Sequence, residues 1–143
     1  QDAFDRYLYN RGPAYVARSA VLAEEGIRIL HDAGASVAFA HPGLTKNSSV
    51  GPATDFRKIL AALCEAGLDA FEVDHPSHLP STRRKLRKLA REFELLETGG
   101  SDFHGAASPG VWVGRGRGDL RVPLARFEAL QAKIQEAHSK PAP

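Results

Sequence analysis

Apolar residues recur at two different spacings along the chain, and the alternation of these spacings predicts an α/β fold. A spacing of three or four positions, typical of a helix with one buried face, begins near Ser19, Pro52, Ser81 and Pro123. A continuous apolar run, typical of a strand that is buried on both faces, occupies positions 37–40. Two further strands are predicted at 70–73, where Glu72 interrupts the apolar residues, and at 95–96. We therefore expect parallel strands that alternate with helices.

The predicted helices carry apolar positions that should face the core. In the second helix these are Phe56, Ile59, Leu60 and Leu63, and in the last helix they are Leu124, Phe127, Leu130 and Ile134. A short helix is also expected over residues 2–9. Residues 111–113 are expected to form a last short strand before a loop rich in glycine and arginine, and residues 139–143 to form a disordered tail.

The first two helix-to-strand units follow the same plan, which points to one edge of the predicted sheet. Each helix ends at a glycine, and each following strand stops at a His-Pro pair, His41-Pro42 in the first unit and His75-Pro76 in the second. The third strand opens into the segment Gly99–His104. Because ligands gather at the carboxyl ends of parallel strands, the side chains in these three places should meet.

Composition sets limits without selecting a function. A chain of 143 residues with 43% hydrophobic and 25% charged residues suits one globular domain, and a net charge of +2 selects no class of partner. No apolar run is long enough to span a membrane, and no secretion signal is visible. The single Cys64 excludes an internal disulfide framework and fits a reducing compartment, so we expect a cytoplasmic location.

Three side chains at the strand ends are predicted to bind a divalent metal ion: His41, Asp102 and His104. Asp102 and His104 are two positions apart, so on extended backbone both point to the same side, and Pro42 should hold His41 in extended geometry. Imidazole and carboxylate together suit Zn, Mn or Fe. The alternative is an ordinary loop in which Asp102 caps backbone amides while the two histidines pack.

Other polar residues near these positions allow more than one interpretation. Glu72 lies among apolar neighbours, and a buried carboxylate needs a polar or charged partner. It is expected either to contact the residues that bind the metals or to form a salt bridge with a helix. One of His75 and His78 should face the cleft; His78 is the predicted substrate-binding residue, and the alternative is an exposed loop histidine. His31 lies near a helix end, where a structural role is expected.

Basic residues cluster in two places. Six of them crowd one face of the third helix between positions 83 and 91, which indicates either a solvated face or attraction of a polyanion such as RNA. Arg115 and Arg117 on the glycine-rich loop are candidates for phosphate contacts. Arg18 and Lys46 lie near the predicted cleft loops and are expected to neutralise an anionic substrate.

With His41-Pro42 and Gly99–His104 in place, the chain resembles the carboxyl-terminal half of the polymerase and histidinol phosphatase (PHP) family. The segment Glu72–His78 resembles the part of the family that lies between these motifs. The opening of the chain, over residues 3–18, looks like a helical insertion in one branch, the 3′,5′-nucleoside bisphosphate phosphatases, which also trim short RNA from the 5′ end. The resemblance covers most of residues 3–135.

The resemblance implies a fold and a chemistry. The fold would be a distorted seven-stranded β/α barrel, with residues 1–18 in the insertion, 19–138 in the carboxyl-terminal half of the barrel and 139–143 in the tail. His41, Asp102 and His104 would each supply a ligand to two or three divalent metals (Mn, Zn or Fe), which generate hydroxide and offset phosphoryl charge. Arg18, Lys46 and His78 would hold phosphate, and the substrate would be a nucleoside 3′,5′-bisphosphate or short RNA.

The sequence departs from the family in its first half. The His-x-His motif near the family's amino terminus is absent, so we expect a fragment that is inactive alone and has exposed barrel edges through which it could form homo-oligomers. One rival interpretation is a non-catalytic half-barrel that acts as a binding or assembly module. Another is an amidohydrolase-like metal hydrolase, which would act on amides.

Overall fold

Three parallel strands form the centre of the fold. In the computed structural model, which describes residues 2–17, 20–44 and 54–139, the strands are β1 (Ala38–Phe39), β2 (Ala70–Asp74) and β3 (Leu96–Gly99), in the order β1-β2-β3. Ala70 of the central strand pairs with Ala38 on one side and with Leu96 on the other. The predicted alternation of parallel strands and helices is confirmed.

Four helices accompany the sheet within the described residues. They are α1 (Ala23–Asp32), α2 (Thr54–Glu65), α3 (Pro80–Glu92) and α4 (Leu124–Ser139). Short helical turns occur at Phe4–Leu8, Pro42–Leu44 and Gly105–Ala107. None of the helices in this part of the chain is both long enough and apolar enough to cross a membrane.

The core lies between the central strand and the helices. Phe71 and Val73 of β2 are fully buried against Leu60 of α2 and Leu86 of α3. The Phe71 ring also lies 5.8 Å from that of Phe39 on β1, between ring centroids. Since burial of one such side chain stabilises a fold by roughly 1.5–3 kcal/mol, this packing fixes the position of β2 and therefore of its carboxyl end.

A buried ion cluster holds the last residue of β2. The Asp74 carboxylate, whose side chain is 3% exposed, pairs with Arg87 of α3 at 2.7 Å and with Arg126 of α4. Arg126 also pairs with Glu97 of β3 at 2.7 Å. Asp74 and His75 are adjacent in the sequence, and successive side chains of a strand point to opposite faces. The ion cluster around Asp74 therefore lies on the opposite side of the β2 end from the His75 ring. It ties two helices and two strands together at that end of β2.

Some sequence-based expectations about the helices were wrong. Helix α1 begins at Ala23 with Leu22 at the N-cap, and Ser19 lies outside the described residues. On α4, Leu124 is 68% exposed and Phe127 is 62% exposed, and Ile59 of α2 is 51% exposed. The other described elements do not cover these positions, so apolar periodicity identified helix faces that the described residues leave exposed.

The ends of the chain also differ from expectation. Residues 111–113 form no strand; Trp112 makes one isolated antiparallel bridge to Gly116, because the chain turns back on itself within a few residues. Ser139 belongs to α4, and the rest of the predicted disordered tail lies outside the described residues.

Candidate active site

The fold brings four polar side chains into a row at the carboxyl edge of the sheet. The ring centroids of His41, after β1, and His75, after β2, are 5.4 Å apart. Nε2 of His75 lies 3.5 Å from Oδ2 of Asp102, which follows β3. Nδ1 of His104 lies 3.7 Å from the other Asp102 oxygen, Oδ1. The three predicted metal ligands thus lie along one edge, with His75 between them.

His41 is held through its backbone rather than by an extended conformation. Its φ is 28°, so the expectation that Pro42 would keep it extended was wrong. Its amide donates to Oε2 of Glu72 at 2.5 Å, an acceptor on the neighbouring strand. The ring nitrogen Nδ1 is buried and has no hydrogen-bond partner among the described residues. A buried imidazole nitrogen without a partner is a candidate for a ligand.

Glu72 resolves one of the alternatives left open by the sequence. Its carboxylate accepts the His41 amide, and its other oxygen, Oε1, lies 3.6 Å from where a Cβ on Gly100 would stand. Within the described part of the chain it makes no ion pair with a helix. Glu72 therefore holds the backbone of His41 in place from the neighbouring strand.

Asp102 and His104 converge through a turn. Asp102 has a φ of 52°, in the left-handed region, so the expected extended backbone was wrong although the two side chains do lie on the same side. Backbone strain of this kind in a residue other than glycine concentrates at functional sites. Nδ1 of His104 lies 2.8 Å from the Asp102 carbonyl and donates to it. This leaves Nε2 free as an acceptor, the arrangement usual for a metal-binding histidine.

His75 lies in the site, whereas His78 was the predicted member of this pair. His75 is only 2% exposed, and its Nδ1 accepts a hydrogen bond from the Ser77 amide at 3.1 Å. The neutral ring therefore carries its proton on Nε2, which faces Asp102 and has no hydrogen bond within the described residues. The sequence pattern did indicate this role, because His75-Pro76 follows β2 just as His41-Pro42 follows β1.

His78 has both ring nitrogens occupied. Nδ1 lies 2.9 Å from the Val73 carbonyl, and Nε2 accepts from the Gly43 amide at 3.2 Å. Burial lowers the pKa of the His78 imidazole below its usual value, which suits the neutral ring needed for these two contacts. His78 thus fastens the turn at Gly43 to β2, and its predicted contact with substrate stays a prediction.

The remaining predicted residues fall in other places. Arg18 and Lys46 lie outside the described residues. His31 contacts Oδ2 of Asp69 at 2.8 Å through Nε2, which fits its expected structural role. The Val37 amide donates to the same oxygen at 2.8 Å. Burial opposes ionisation of Asp69, but these hydrogen bonds outweigh it and lower the pKa of that carboxyl.

A cavity of about 270 Å³ opens beside His75 and Asp102. Its wall combines hydroxyl groups, apolar surface and one guanidinium; the other lining residues are Pro76, Ser77, Ser101, Ala107, Ser108, Pro109, Val111 and Arg117. This mixture suits a small ligand that carries both an anionic group and an apolar or aromatic part.

The donor set fits part of a metal site. Among the described residues, no three His, Cys, Asp or Glu side chains lie close enough together to enclose an ion. The unpartnered Nδ1 of His41, the Asp102 carboxylate and the free Nε2 of His104 are nevertheless nitrogen and oxygen donors that Zn, Mn and Fe accept. A full site at this edge needs donors beyond these three.

The sequence matches curated enzymes over part of their length. No protein-family model matches it. The 5′-3′ exoribonucleases Rnm of Escherichia coli (strain K12) and Salmonella typhimurium (strain LT2) are 33% and 32% identical over 116 residues, which are 81% of this chain and 37% of each relative. A phosphoribosyl 1,2-cyclic phosphate 1,2-diphosphodiesterase of Eggerthella lenta is 32% identical over 83 residues, 58% of this chain and 28% of that enzyme. The chain therefore spans well under half the length of these relatives.

Solved structures match over nearly the whole chain. A candidate metal-dependent phosphoesterase from Bifidobacterium adolescentis is similar with a TM-score of 0.68 and 27% identity, over 92% of this chain and 43% of that one. A protein from Chromobacterium violaceum described as an amidohydrolase, with bound sulfate and no metal, is similar with a TM-score of 0.62 and 25% identity, over 92% and 44%.

Proposed function

Because the chain belongs to the PHP family of metal-dependent phosphoesterases, we propose that it forms part of a hydrolytic active site for phosphate esters. The predicted resemblance to this family is confirmed by these relatives. One observation carries the proposal for this chain. Nε2 of His75 faces the Asp102 carboxylate, and both residues line a cavity that Arg117 also lines.

The proposed metal ligands are His41, Asp102 and His104. Divalent metal ions bound there would generate hydroxide and offset negative charge on the phosphoryl oxygens. The geometry supports this role because His104 keeps Nε2 free while its Nδ1 donates to a carbonyl, and because Glu72 fixes the backbone of His41.

His75 is proposed to act as a hydrogen-bond donor. Its Nδ1 is occupied as an acceptor, so its Nε2–H is the group that faces the Asp102 carboxylate beside the cavity. It would orient Asp102 or donate to a phosphoryl oxygen, and burial strengthens such a bond. Arg18, Lys46 and His78 are kept as candidates for phosphate binding on the family resemblance.

The proposed substrates are a nucleoside 3′,5′-bisphosphate or short RNA. The support is that two relatives are named exoribonucleases and a third a diphosphodiesterase, all of which act at phosphate esters. The cavity also offers a guanidinium and three hydroxyl side chains to an anion. We propose a cytoplasmic location, since Cys64 is a free, half-buried thiol whose pKa is raised by burial.

The 143-residue chain is proposed to be inactive by itself. Three ligands are fewer than a cluster of two or three metals requires, and the chain spans 37% of the exoribonucleases that it matches. Elemental analysis of the purified chain beside His41→Ala and Asp102→Ala tests this. We expect at most one loosely held metal per chain, reduced in both variants. Two or three metals per chain together with rapid release of phosphate from a 3′,5′-bisphosphate would overturn the proposal.

Amide hydrolysis is the second candidate function, because the Chromobacterium violaceum structure is described as an amidohydrolase. A panel of amide and phosphate-ester substrates, assayed with the complete protein and added Mn²⁺ or Zn²⁺, separates the two. Turnover of amides alone would favour this candidate over the phosphoesterase.

Self-association is a further part of the proposal. Leu124 and Phe127 on α4 are more than half exposed, and such apolar faces favour contact between copies. Sedimentation of the purified chain tests this, and a monomer at all concentrations would exclude both homo-oligomers and the assembly-module interpretation.

A further inference from the structure

A small hairpin rises beside the cavity and supplies two residues of its wall. Trp112 and Gly116 exchange two backbone hydrogen bonds, of 2.8 and 2.9 Å, and enclose a turn of three residues. The residues at either side of this bridge, Val111 and Arg117, line the cavity wall. We call residues 111–118 the Trp112 hairpin.

The Trp112 hairpin is fixed to the candidate active site by close backbone packing. Gly116 is buried, with a φ of 56°, and a Cβ added there would stand 2.9 Å from Cγ of Pro76. Only glycine permits this approach. Since Pro76 directly follows His75, the hairpin has a set position relative to the residues that face the cavity.

The exposed surface of the Trp112 hairpin is aromatic and basic. Trp112 is 61% exposed and Val113 is 70% exposed. Arg115 and Arg117 are exposed, and neither pairs with a carboxylate of the described residues, whereas the nearby Asp119 pairs with Arg83 at 3.3 Å. An exposed indole that buries little apolar surface and two unpaired guanidinium groups contribute little to folding, so they are available to bind a ligand.

We propose that the Trp112 hairpin binds the part of a single-stranded RNA that extends beyond the nucleotide in the cavity. A base would stack on the Trp112 indole, and Arg117 would contact a backbone phosphate at the cavity mouth. Aromatic side chains beside arginines are the usual platform for unpaired bases, and guanidinium groups match phosphate oxygens. This inference rests on the proposed phosphoesterase function and adds where the rest of an RNA substrate lies.

Intrinsic fluorescence gives a direct test, because Trp112 is the only tryptophan in the sequence. The full chain is titrated with a 5′-phosphorylated RNA trinucleotide and, separately, with adenosine 3′,5′-bisphosphate. We expect saturable quenching of Trp112 by the trinucleotide and little by the mononucleotide. Equal quenching by both ligands, or none by the trinucleotide, would overturn the inference.

Variants separate stacking and phosphate contact from general attraction. With a labelled trinucleotide in fluorescence anisotropy, Trp112→Ala should weaken binding at least fivefold, and Trp112→Phe, which keeps an aromatic face, less than twofold. Arg117→Gln should lower the slope of log K against log salt by about 0.7, the value for one phosphate contact to a single strand. Arg84→Gln, an exposed arginine on α3, is the matched control and should change neither quantity.

The outcomes also distinguish this inference from the proposed function. Suppose that Trp112→Ala and Arg117→Gln weaken RNA binding as expected but the complete protein hydrolyses no phosphate ester. The RNA-binding surface is then supported and the proposed function fails. If the protein hydrolyses RNA while Trp112→Ala and Arg117→Gln bind normally, the function stands and this inference fails. A loss with Arg84→Gln as large as that with Arg117→Gln would place the RNA on the basic face of α3 instead.

Discussion

The imidazole of His75 faces the carboxylate of Asp102, with 3.5 Å between Nε2 and Oδ2. The two residues follow different strands, β2 and β3, and meet because parallel strands end at the same edge of the sheet. The imidazole is buried and the carboxylate is 45% exposed, so a buried ring contacts a carboxylate that solvent or a ligand can reach from the cavity.

Replacement of His75 should impair catalysis more than folding. In the complete protein, His75→Leu should lower kcat for phosphate release by about 10²–10³, because leucine has no hydrogen-bond donor to replace the preorganised Nε2–H group. The control is His31→Gln, which alters a histidine held at Asp69 and away from the site. It should lower the melting temperature and leave kcat within about twofold. Equal loss of kcat in both variants would contradict the assignment.

The contacts of Asp69 should make the fold sensitive to acid. The pKa of Asp69 is lowered from its usual 3.8, so the unfolded chain binds the proton more readily than the folded chain. The stabilisation is therefore complete above about pH 5 and is lost as the pH falls through 3.8 toward the lower folded pKa.

Urea unfolding at several pH values measures this effect. At pH 7, Asp69→Asn should lower the free energy of unfolding by about 2 kcal/mol, the scale of hydrogen bonds to a charged group. The difference from the parent chain should shrink below pH 4. Lys133→Gln, which removes a half-exposed cation 3.5 Å from Asp69, should change stability by less than about 1 kcal/mol. A pH-independent difference would show that ionisation of Asp69 plays no part.

The ion cluster at the end of β2 should be costly to break. Asp74→Ala leaves the charges of Arg87 and Arg126 partly buried without their shared carboxylate and should destabilise the fold by roughly 3–5 kcal/mol. The comparison is Glu92→Ala, which removes a pair with Arg57 near the surface and should cost less than about 1 kcal/mol. Chemical denaturation of the three chains provides the measurement; similar losses in both variants would argue against the buried cluster.

The close packing of Gly43 on His78 predicts a coupled pair of substitutions. A Cβ at position 43 would stand 2.7 Å from Cδ2 of the His78 ring, so Gly43→Ala should destabilise the fold by about 1–3 kcal/mol. In a His78→Ala background the contact with the ring is gone and Cγ2 of Thr82, at 3.2 Å, is the remaining near neighbour, so the same change should cost less than about 1 kcal/mol. Additive losses in this double-mutant cycle would contradict the contact.

The sequence allowed the fold class and most of the elements to be predicted. Apolar runs at 37–40 and 70–73 correspond to β1 and β2, and glycine, proline and histidine marked where strands end. The helical faces were less predictable. Periodicity identifies an apolar stripe, but whether Ile59 or Phe127 is covered depends on neighbouring elements that local sequence does not specify.

The sequence by itself determined that three strand ends carry ligand-type side chains, because strand periodicity and residue chemistry are local properties. Only the tertiary structure decided that His75 rather than His78 faces Asp102, since the direction of each ring follows from contacts of Ser77, Gly43 and Val73. It also set the left-handed backbone at Asp102, which overrides the extended geometry that the two-residue spacing suggested. Hydrogen bonds and close packing between distant segments fix side-chain direction, and no local pattern encodes them.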